Sequence, residues 1–257
     1  MSENTNVINK EAWDKYQDAY MKFHLMSYPD YYEFYANGGI RLDNYLIAMI
    51  GDVRSLKLLD TCCACDAAQA FSWHNLGAKV TACDISPSAI RIAKENAGKM
   101  KLAVDFITED MQTLASVNDN EFDVVFASFP IWLSAIDPAC RSWHRVLKKG
   151  GRVLLHAQHP IMECITETNG EISIIKNYNE RSVDYYDSFE GTPLADRHGG
   201  WSVDLPVVEN FYSVSDLINA ICNAGFRIIN THESAEGLEE GSVLSRLPDS
   251  FALLAVK

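Results

Sequence analysis

The sequence has no long apolar run, no basic cluster and no internal repeat. No stretch reaches the roughly 18 apolar residues of a membrane-spanning helix, so we expect none. The opening residues, MSENTNVINKEAW, lack the basic start and apolar core of a signal peptide. The formal net charge of -13, without clustered Lys and Arg, argues against nucleic acid or an anionic membrane as a partner.

The seven cysteines lack the spacing of a metal site. Cys62, Cys63 and Cys65 are crowded together, and there is no second C-x-x-C pair and no H-x-x-x-H pair. The others lie mostly in apolar segments, which is typical of buried thiols in a reducing compartment. We therefore expect a cytoplasmic protein without a metal site.

Short apolar segments alternate with amphipathic ones along the chain. The pattern predicts strands at 56–59, 80–83, 104–108, 122–128, 152–156, 226–231 and 251–256. It predicts helices at 43–50, 67–76, from Pro87, at 137–147, where Gly150-Gly151 terminates the helix, and at 214–224. Such alternation favours an α/β fold with a mainly parallel sheet.

Two segments flank or interrupt this pattern within one predicted domain, residues 1–257. Residues 9–36 carry aromatics at helical spacing, typical of a helix that packs on the domain. The alternative is a lid over a ligand, and we interpret residues 1–50 as an N-terminal helical lid. Residues 160–210 form a polar insertion that we interpret as a cap over the substrate pocket.

Acidic side chains follow the second and third predicted strands. Asp84 comes about 20 residues after the first turn, the usual position of a ribose-binding acid. Alone, Asp84 is typical of a helix-capping or solvated acid. Its place before Ser86-Pro87, together with Asp110 at the next strand end, favours a ligand site at the carboxyl edge of the sheet.

Two histidines, His156 and His159, lie at the end of the fifth predicted strand. Either is a candidate general base, because an unperturbed histidine titrates near neutral pH. The alternative role is to orient the loop, since Pro160 restricts the backbone of the residue before it.

Several stretches together resemble the S-adenosylmethionine-dependent methyltransferases of the Rossmann-like class, in their small-molecule branch. They are LLDTCCACDAAQAFSWHNLGAKVTACDISPSAIRIAKENA (58–97), ITEDM (107–111), FDVVFASFPIWL (122–133) and WHRVLKKGGRVLL (143–155). The resemblance implies a Rossmann-like sheet with an antiparallel last strand and helices on both faces. It also implies S-adenosylmethionine as cofactor, and methyl transfer to an N, O, S or C nucleophile of a small molecule by direct displacement. The alternatives are non-methyl chemistry and non-catalytic ligand binding. We expect a monomer or a homodimer.

The resemblance also implies which residues hold the cofactor. The first loop would wrap the methionine part, through Asp60, Cys62, Cys63, Ala64 and Cys65. Asp84 would hold the ribose and Ile85 would pack on the adenine. Asp110 would accept a hydrogen bond from the adenine amino group, with the Met111 backbone beside it.

Aromatic residues would lie around the sulfonium. By the same resemblance, Ser128 and Phe129 would face it, and Trp13, Tyr16 and Tyr20 would close over the methionine end. An aromatic face near a sulfonium is favourable because the ring quadrupole attracts a cation.

The first loop departs from the family because it lacks the usual G-x-G-x-G glycines. Two registers are possible, with Cys62, Ala64 and Asp66 or with Cys63, Cys65 and Ala67 at the glycine positions. Alanine and cysteine are the next smallest residues, so the loop stays narrow but loses conformational freedom. We expect either unchanged or weakened cofactor binding. We interpret the cysteines as small loop residues; the alternative is a redox switch.

Overall fold

The computed structural model describes residues 2–168, 170–186, 205–236 and 242–257. The α-helices in these ranges are α1 (Ser2–Ser27), α2 (Tyr31–Ala36), α3 (Asn44–Ile50), α4 (Ala68–Asn75), α5 (Pro87–Met100), α6 (Ile136–Val146) and α7 (Val214–Asn223). None of the helices in the described ranges combines the length and apolar character needed to cross a bilayer.

The described strands are β1 (Lys57–Asp60), β2 (Lys79–Asp84), β3 (Asp105–Thr108), β4 (Phe122–Ser128), β5 (Leu147–Gln158), β6 (Ile165–Thr168), β7 (Glu171–Ile174), β8 (Val183–Tyr186), β9 (Val207–Asn210), β10 (Arg227–Ser234) and β11 (Ser250–Val256). Seven of them form one sheet in the order β10-β11-β5-β4-β1-β2-β3. Strands β1 to β5 pair in parallel, and β11 lies antiparallel between β5 and β10. This arrangement confirms the predicted fold class.

Strands β1 to β5 and β11 contribute side chains to two hydrophobic cores. Along β4, Val124 and Phe126 belong to one core, whereas Val125 and Ala127 belong to the other. This follows from the pleat, since successive side chains of a strand point to opposite faces. One core packs against α2, α3, α4 and α5, and the other packs against α6 and α7. Both faces of the sheet are therefore covered by helices.

The predicted start of α5 and end of α4 are confirmed by their local geometry. The Ala89 N–H donates to the Ser86 hydroxyl oxygen at 3.0 Å, and Pro87 occupies the first helical position, where no N–H is needed. Gly77 follows α4 with φ +94°, a conformation that glycine adopts without steric cost. These two signals set the positions of the elements on either side of β2.

One boundary prediction was wrong, at the junction of α6 and β5. We expected the helix to reach Leu147 and the Gly150-Gly151 pair to terminate it before a strand at Arg152. Instead α6 ends at Val146 and β5 begins at Leu147. Pairing with β4 passes directly from Leu147 to Arg152, so the glycines lie in an irregular part of the strand itself.

The described part of the polar insertion contains two short antiparallel strand pairs, β6 with β7 and β8 with β9. Strand β9 is fastened to α1 by a side-chain amide. Asn9 Nδ2 donates to the Val208 carbonyl and Asn9 Oδ1 accepts from the Val208 N–H, both at 2.8 Å. Helix α1 and strand β9 are thus held directly against each other. Residues 187–204 of the predicted cap lie outside the described residues.

Candidate functional site

A cavity of about 710 Å³ lies at the carboxyl ends of the parallel strands. Its lining includes Asp110 beyond β3, Asp84 at the end of β2, and His156 near the end of β5. Ser250 also lines it, because β11 is antiparallel and therefore begins at this edge. Glu236, two residues beyond β10, also lines the cavity. The cavity thus reaches every strand of the sheet.

Asp84 joins the first loop to the start of α5. Its Oδ2 accepts from the Ala64 N–H at 3.0 Å, and its Oδ1 accepts from the Ser86 N–H at 2.9 Å. Burial raises the pKa of this carboxyl to about 6. A carboxylate has about four lone-pair directions, so two backbone bonds leave acceptor capacity for a ligand.

The first loop approaches the cavity with small residues in place of glycine. Ala64 (φ 52°) and Ala67 (φ 44°) are left-handed, so each predicted register supplies one such position. Cys62, Cys63 and Ala64 line the cavity. Cys65 does not, because it is buried against α1, where its N–H donates to Gln17 Oε1 at 3.2 Å.

The loop thiols are protonated at neutral pH. Burial raises the pKa of Cys62, Cys63 and Cys65 far above the ordinary thiol value, and neighbouring carboxylates raise it further. A nucleophilic or redox-sensing cysteine needs the opposite shift. The electrostatics therefore favour the interpretation of these cysteines as small loop residues.

Two further acids lie beside the loop. Asp60 is fully buried; its Oδ1 accepts from the Cys62 N–H at 3.3 Å, and its Oδ2 has no partner among the described residues. Burial raises its pKa to about 7. Asp60 lies outside the lining, behind the loop that it supports. Asp66 does line the cavity; it accepts from the Tyr20 hydroxyl at 3.4 Å, and burial raises its pKa to about 6.

The other predicted cofactor contacts beside β2 and β3 come together. Asp110 accepts from Asn6 Nδ2 at 3.0 Å and from the Gln112 N–H at 2.7 Å. Ile85 and Met111 line the same part of the cavity, next to Asp84. Two carboxylates and two apolar side chains are thus arranged along neighbouring strand ends.

Helix α1 covers the cavity from above the sheet edge. Trp13 and Tyr20 line it, and the Trp13 ring meets Trp132 edge-on with 5.0 Å between ring centroids. Tyr16 does not line it, because it is fully buried in a small core with Ala12 and Val207.

Of the two predicted site residues at the end of β4, one lines the cavity and the other does not. Phe129 lines the cavity, is 48% exposed and has a left-handed backbone with φ 55°. Ser128 lies outside the lining, and its hydroxyl donates to Gln69 Oε1 at 3.2 Å. Gln69 itself lines the cavity, so Ser128 positions a lining side chain.

The two candidate histidines have different surroundings. His156 lines the cavity, with Nε2 3.0 Å from the Tyr45 hydroxyl and 3.8 Å from Asp43 Oδ2. Burial lowers its pKa, which keeps the imidazole neutral at pH 7. His159 is 6% exposed and outside the lining; its Nε2 is 2.9 Å from Glu233 Oε1, and its Nδ1 accepts from the Ile161 N–H. His159 thus has the contacts of the loop-orienting alternative.

Sequence reasoning missed several polar lining residues, including Gln17, Arg41, Asp43, Tyr45, Gln69 and Asp249. Only Gln17 had a usable signal. It stands four residues after Trp13 and three before Tyr20, so all three share one face of α1. The rest lie in loops or on helices whose approach to the cavity depends on tertiary packing.

Part of the chain is similar to known methyltransferases. Residues 59–155 match the family model described as "Methyltransferase domain". A ubiquinone/menaquinone biosynthesis C-methyltransferase from Nitrobacter hamburgensis is 40% identical over 91 residues, 34% of this chain and 36% of the relative. A mitochondrial 2-methoxy-6-polyprenyl-1,4-benzoquinol methylase from Bos taurus is 30% identical over 193 residues, 67% of this chain and 54% of the relative.

A solved structure has the same fold. It is an S-adenosylmethionine-dependent methyltransferase from Mesorhizobium loti, with a TM-score of 0.64 and 19% identity, covering 83% of this chain and 96% of that one. The curated relatives are matched only in part, since this chain spans 36% and 54% of the lengths of the two named above.

Proposed function

We propose that this chain, which carries a methyltransferase domain at residues 59–155, transfers a methyl group from S-adenosylmethionine to a small molecule. The observation that carries the proposal is the cavity at the carboxyl edge of the sheet. It brings Asp84, Asp110 and the first loop together with His156 in one cavity. Crevices at this edge are where open α/β sheets bind their ligands.

The residues present fit the cofactor. Asp84 keeps acceptor capacity for the ribose hydroxyls, and Asp110 keeps it for the adenine amino group. Ile85 and Met111 supply apolar contact for the adenine ring. The narrow loop at Cys62–Ala64 lets backbone come close to the methionine part. When bound, S-adenosylmethionine supplies an electrophilic methyl group on a sulfonium.

Among the protein side chains, His156 is suited to take a proton from the attacking group of the substrate. It lines the cavity, and its lowered pKa leaves the imidazole unprotonated at neutral pH. The Tyr45 hydroxyl donates to Ser250 Oγ at 3.0 Å and therefore accepts from His156 Nε2–H at 3.0 Å, which leaves Nδ1 of the neutral ring to take the proton. Catalysis then depends mainly on positioning the nucleophile and excluding water.

We propose residues 1–50 as the lid and the described part of residues 160–210 as the cap, because α1 and β9 meet above the cavity. All seven cysteines are free thiols, which supports a reducing, cytoplasmic location. A monomer or a homodimer is compatible with this arrangement.

The test combines binding and turnover. Calorimetry with S-adenosylhomocysteine is expected to show binding that Asp84→Asn weakens at least tenfold, because a neutral amide is a poorer ribose acceptor. Asp105→Asn, at the opposite edge of the sheet, is the matched control and should bind as the wild type does. Labelled S-adenosylmethionine with a metabolite extract should yield a product heavier by one methylene unit. Binding without any labelled product would favour the non-methyl or non-catalytic alternatives.

A further inference from the structure

The cavity is strongly acidic. Eight carboxylate side chains line it, against one guanidinium, that of Arg41, among the described residues. Asp66, Asp84 and Asp110 lie at the end formed by β1, β2 and β3. Five others lie away from that end and have no role in the proposed cofactor contacts; they are Asp43, Glu163, Glu209, Glu236 and Asp249. This excess of negative charge sets the sign of the ligand that fits there.

The single guanidinium does not balance these carboxylates. Arg41 Nη2 lies 3.6 Å from Asp30 Oδ1, and the guanidinium carbon lies 3.9 Å from the centroid of the Tyr28 ring. Its charge also offsets part of the rise that burial causes in the pKa of Asp66, at the cofactor end. Lys176 lies 4.0 Å from Glu163 and pairs with Asp184. Its positive charge therefore offsets the negative charge of only one cavity carboxylate, that of Glu163.

Two buried polar groups of the lining have no partner among the described residues. Asn210 is 6% exposed and its Nδ2 makes no hydrogen bond. The Oδ1 atom of Asp249 is buried without a partner as well. Leaving such groups unpaired destabilises the folded protein, and a bound ligand with matching groups would remove this cost.

Aromatic side chains stand among the carboxylates. Trp132, Phe211 and Tyr212 line the cavity, with Trp13 opposite Trp132. The Tyr212 hydroxyl donates to the Leu133 carbonyl at 2.7 Å, which leaves its ring to form part of the wall. Carboxylates interleaved with aromatic faces are a favourable setting for an organic cation.

We propose that the methyl acceptor is a small cationic amine that carries a second hydrogen-bonding group, such as a hydroxyl. The proposal rests on the proposed function and specifies its substrate class. The ammonium lies beside Asp249, and the second group reaches Asn210. The amine loses one proton to His156, and its lone pair then forms the new N–C bond. The C–S bond breaks and its electron pair stays on sulfur, so the products are a methylated ammonium ion and a neutral thioether.

Choline and its uncharged carbon isostere, 3,3-dimethylbutan-1-ol, provide the binding test. Both have the same shape and hydroxyl group, so they differ only in charge. In calorimetry with the full chain, with and without S-adenosylhomocysteine, choline is expected to bind at least tenfold more tightly than the isostere. Asp249→Asn should abolish this preference, and the control Asp105→Asn, which removes the same charge outside the cavity, should retain it. With labelled S-adenosylmethionine, N,N-dimethylethanolamine should be methylated.

The outcomes separate this inference from the proposed function. Equal affinity for choline and its isostere, or a preference that Asp249→Asn leaves intact, would overturn the inference. So would methyl transfer to neutral or anionic acceptors only, and in that case the proposed function stands. A choline preference in a protein that does not bind S-adenosylhomocysteine would retain the cation site and overturn the methyltransferase assignment.

Discussion

Ala64 and Ala67 adopt a backbone conformation that is costly for any residue with a Cβ atom. Both have positive φ, at 52° and 44°. The left-handed region costs an L-residue roughly 1–2 kcal/mol relative to the right-handed one. The small side chains keep the loop narrow, but its left-handed backbone is strained. The surrounding packing must hold Ala64 and Ala67 in this conformation. The strain can be measured at Ala67, which is fully buried and outside the cavity lining.

We expect Ala67→Gly to raise the free energy of unfolding by about 0.5–1 kcal/mol, because relief of the left-handed strain exceeds the added entropy of the unfolded chain. Urea denaturation measures the change. Ala70→Gly, at a buried position inside α4, is the control and should lower the same quantity by about 1 kcal/mol. Equal destabilisation by both variants would show that the loop is not strained at Ala67.

The buried acids beside the loop make stability depend on pH. Burial raises the pKa of Asp60 from 3.8 to about 7, and the pKa values of Asp66 and Asp84 to about 6. The folded protein therefore binds these protons more tightly than the unfolded chain does. Their stabilising contribution is complete below about pH 4 and is lost as the pH rises through 6 to 7.

Asp60→Asn is expected to flatten this dependence. The amide can still accept from the Cys62 N–H, and it carries no charge to bury. At pH 8 we expect the ligand-free variant to exceed the wild type in unfolding free energy by roughly 2–4 kcal/mol, with little difference at pH 4. Thermal melts from pH 4 to 8 test this, with Asp105→Asn as the exposed control. A pH profile parallel to that of the wild type would contradict the burial argument.

Among the helices and strands, α1 covers the cavity, and its contact with β9 helps to hold it there. Asn9 is 4% exposed and satisfies both the N–H and the carbonyl of Val208. It acts as a neighbouring strand would, but from a helix. Without it, two buried backbone groups of β9 lose their partners, at a cost of roughly 1–3 kcal/mol each.

Asn9→Ala should therefore loosen α1 without unfolding the sheet. We expect faster amide hydrogen exchange along α1 and a several-fold weaker affinity for S-adenosylhomocysteine, because Trp13 and Tyr20 line the cavity from the same helix. Exchange mass spectrometry and calorimetry measure the two effects. The control is Lys10→Ala, at the exposed neighbouring position. Unchanged exchange in α1 would show that the other contacts of the helix suffice to hold it.

For the whole molecule, the sequence predicts those parts of the site that depend on local pattern. Asp84 and Asp110 could be located because each lies at the end of an apolar strand, and parallel strands end at one edge. Asp249 could not, because it reaches this edge only through antiparallel pairing of β11 with β5. Ser128 and Phe129 differ by one position, and only packing decides that Phe129 faces the cavity.

The histidines illustrate the same limit. His156 and His159 are close in sequence, and both lie at the end of the predicted fifth strand. Their difference arises from distant partners, Tyr45 for one and Glu233 for the other. No local pattern carries such information, since Tyr45 on α3 and Glu233 on β10 approach the histidines only when the chain folds.

The antiparallel strand β11 also has a consequence during synthesis. It fills the gap between β5 and β10, yet it is made about 90 residues after β5 ends. At ribosomal rates of about 5–20 residues per second, β5 waits roughly 5–20 s with an unpaired apolar edge. Such an edge is a template for pairing with another chain. The nascent protein is therefore most prone to aggregation just before β11 emerges, and chaperone binding should be concentrated in that interval.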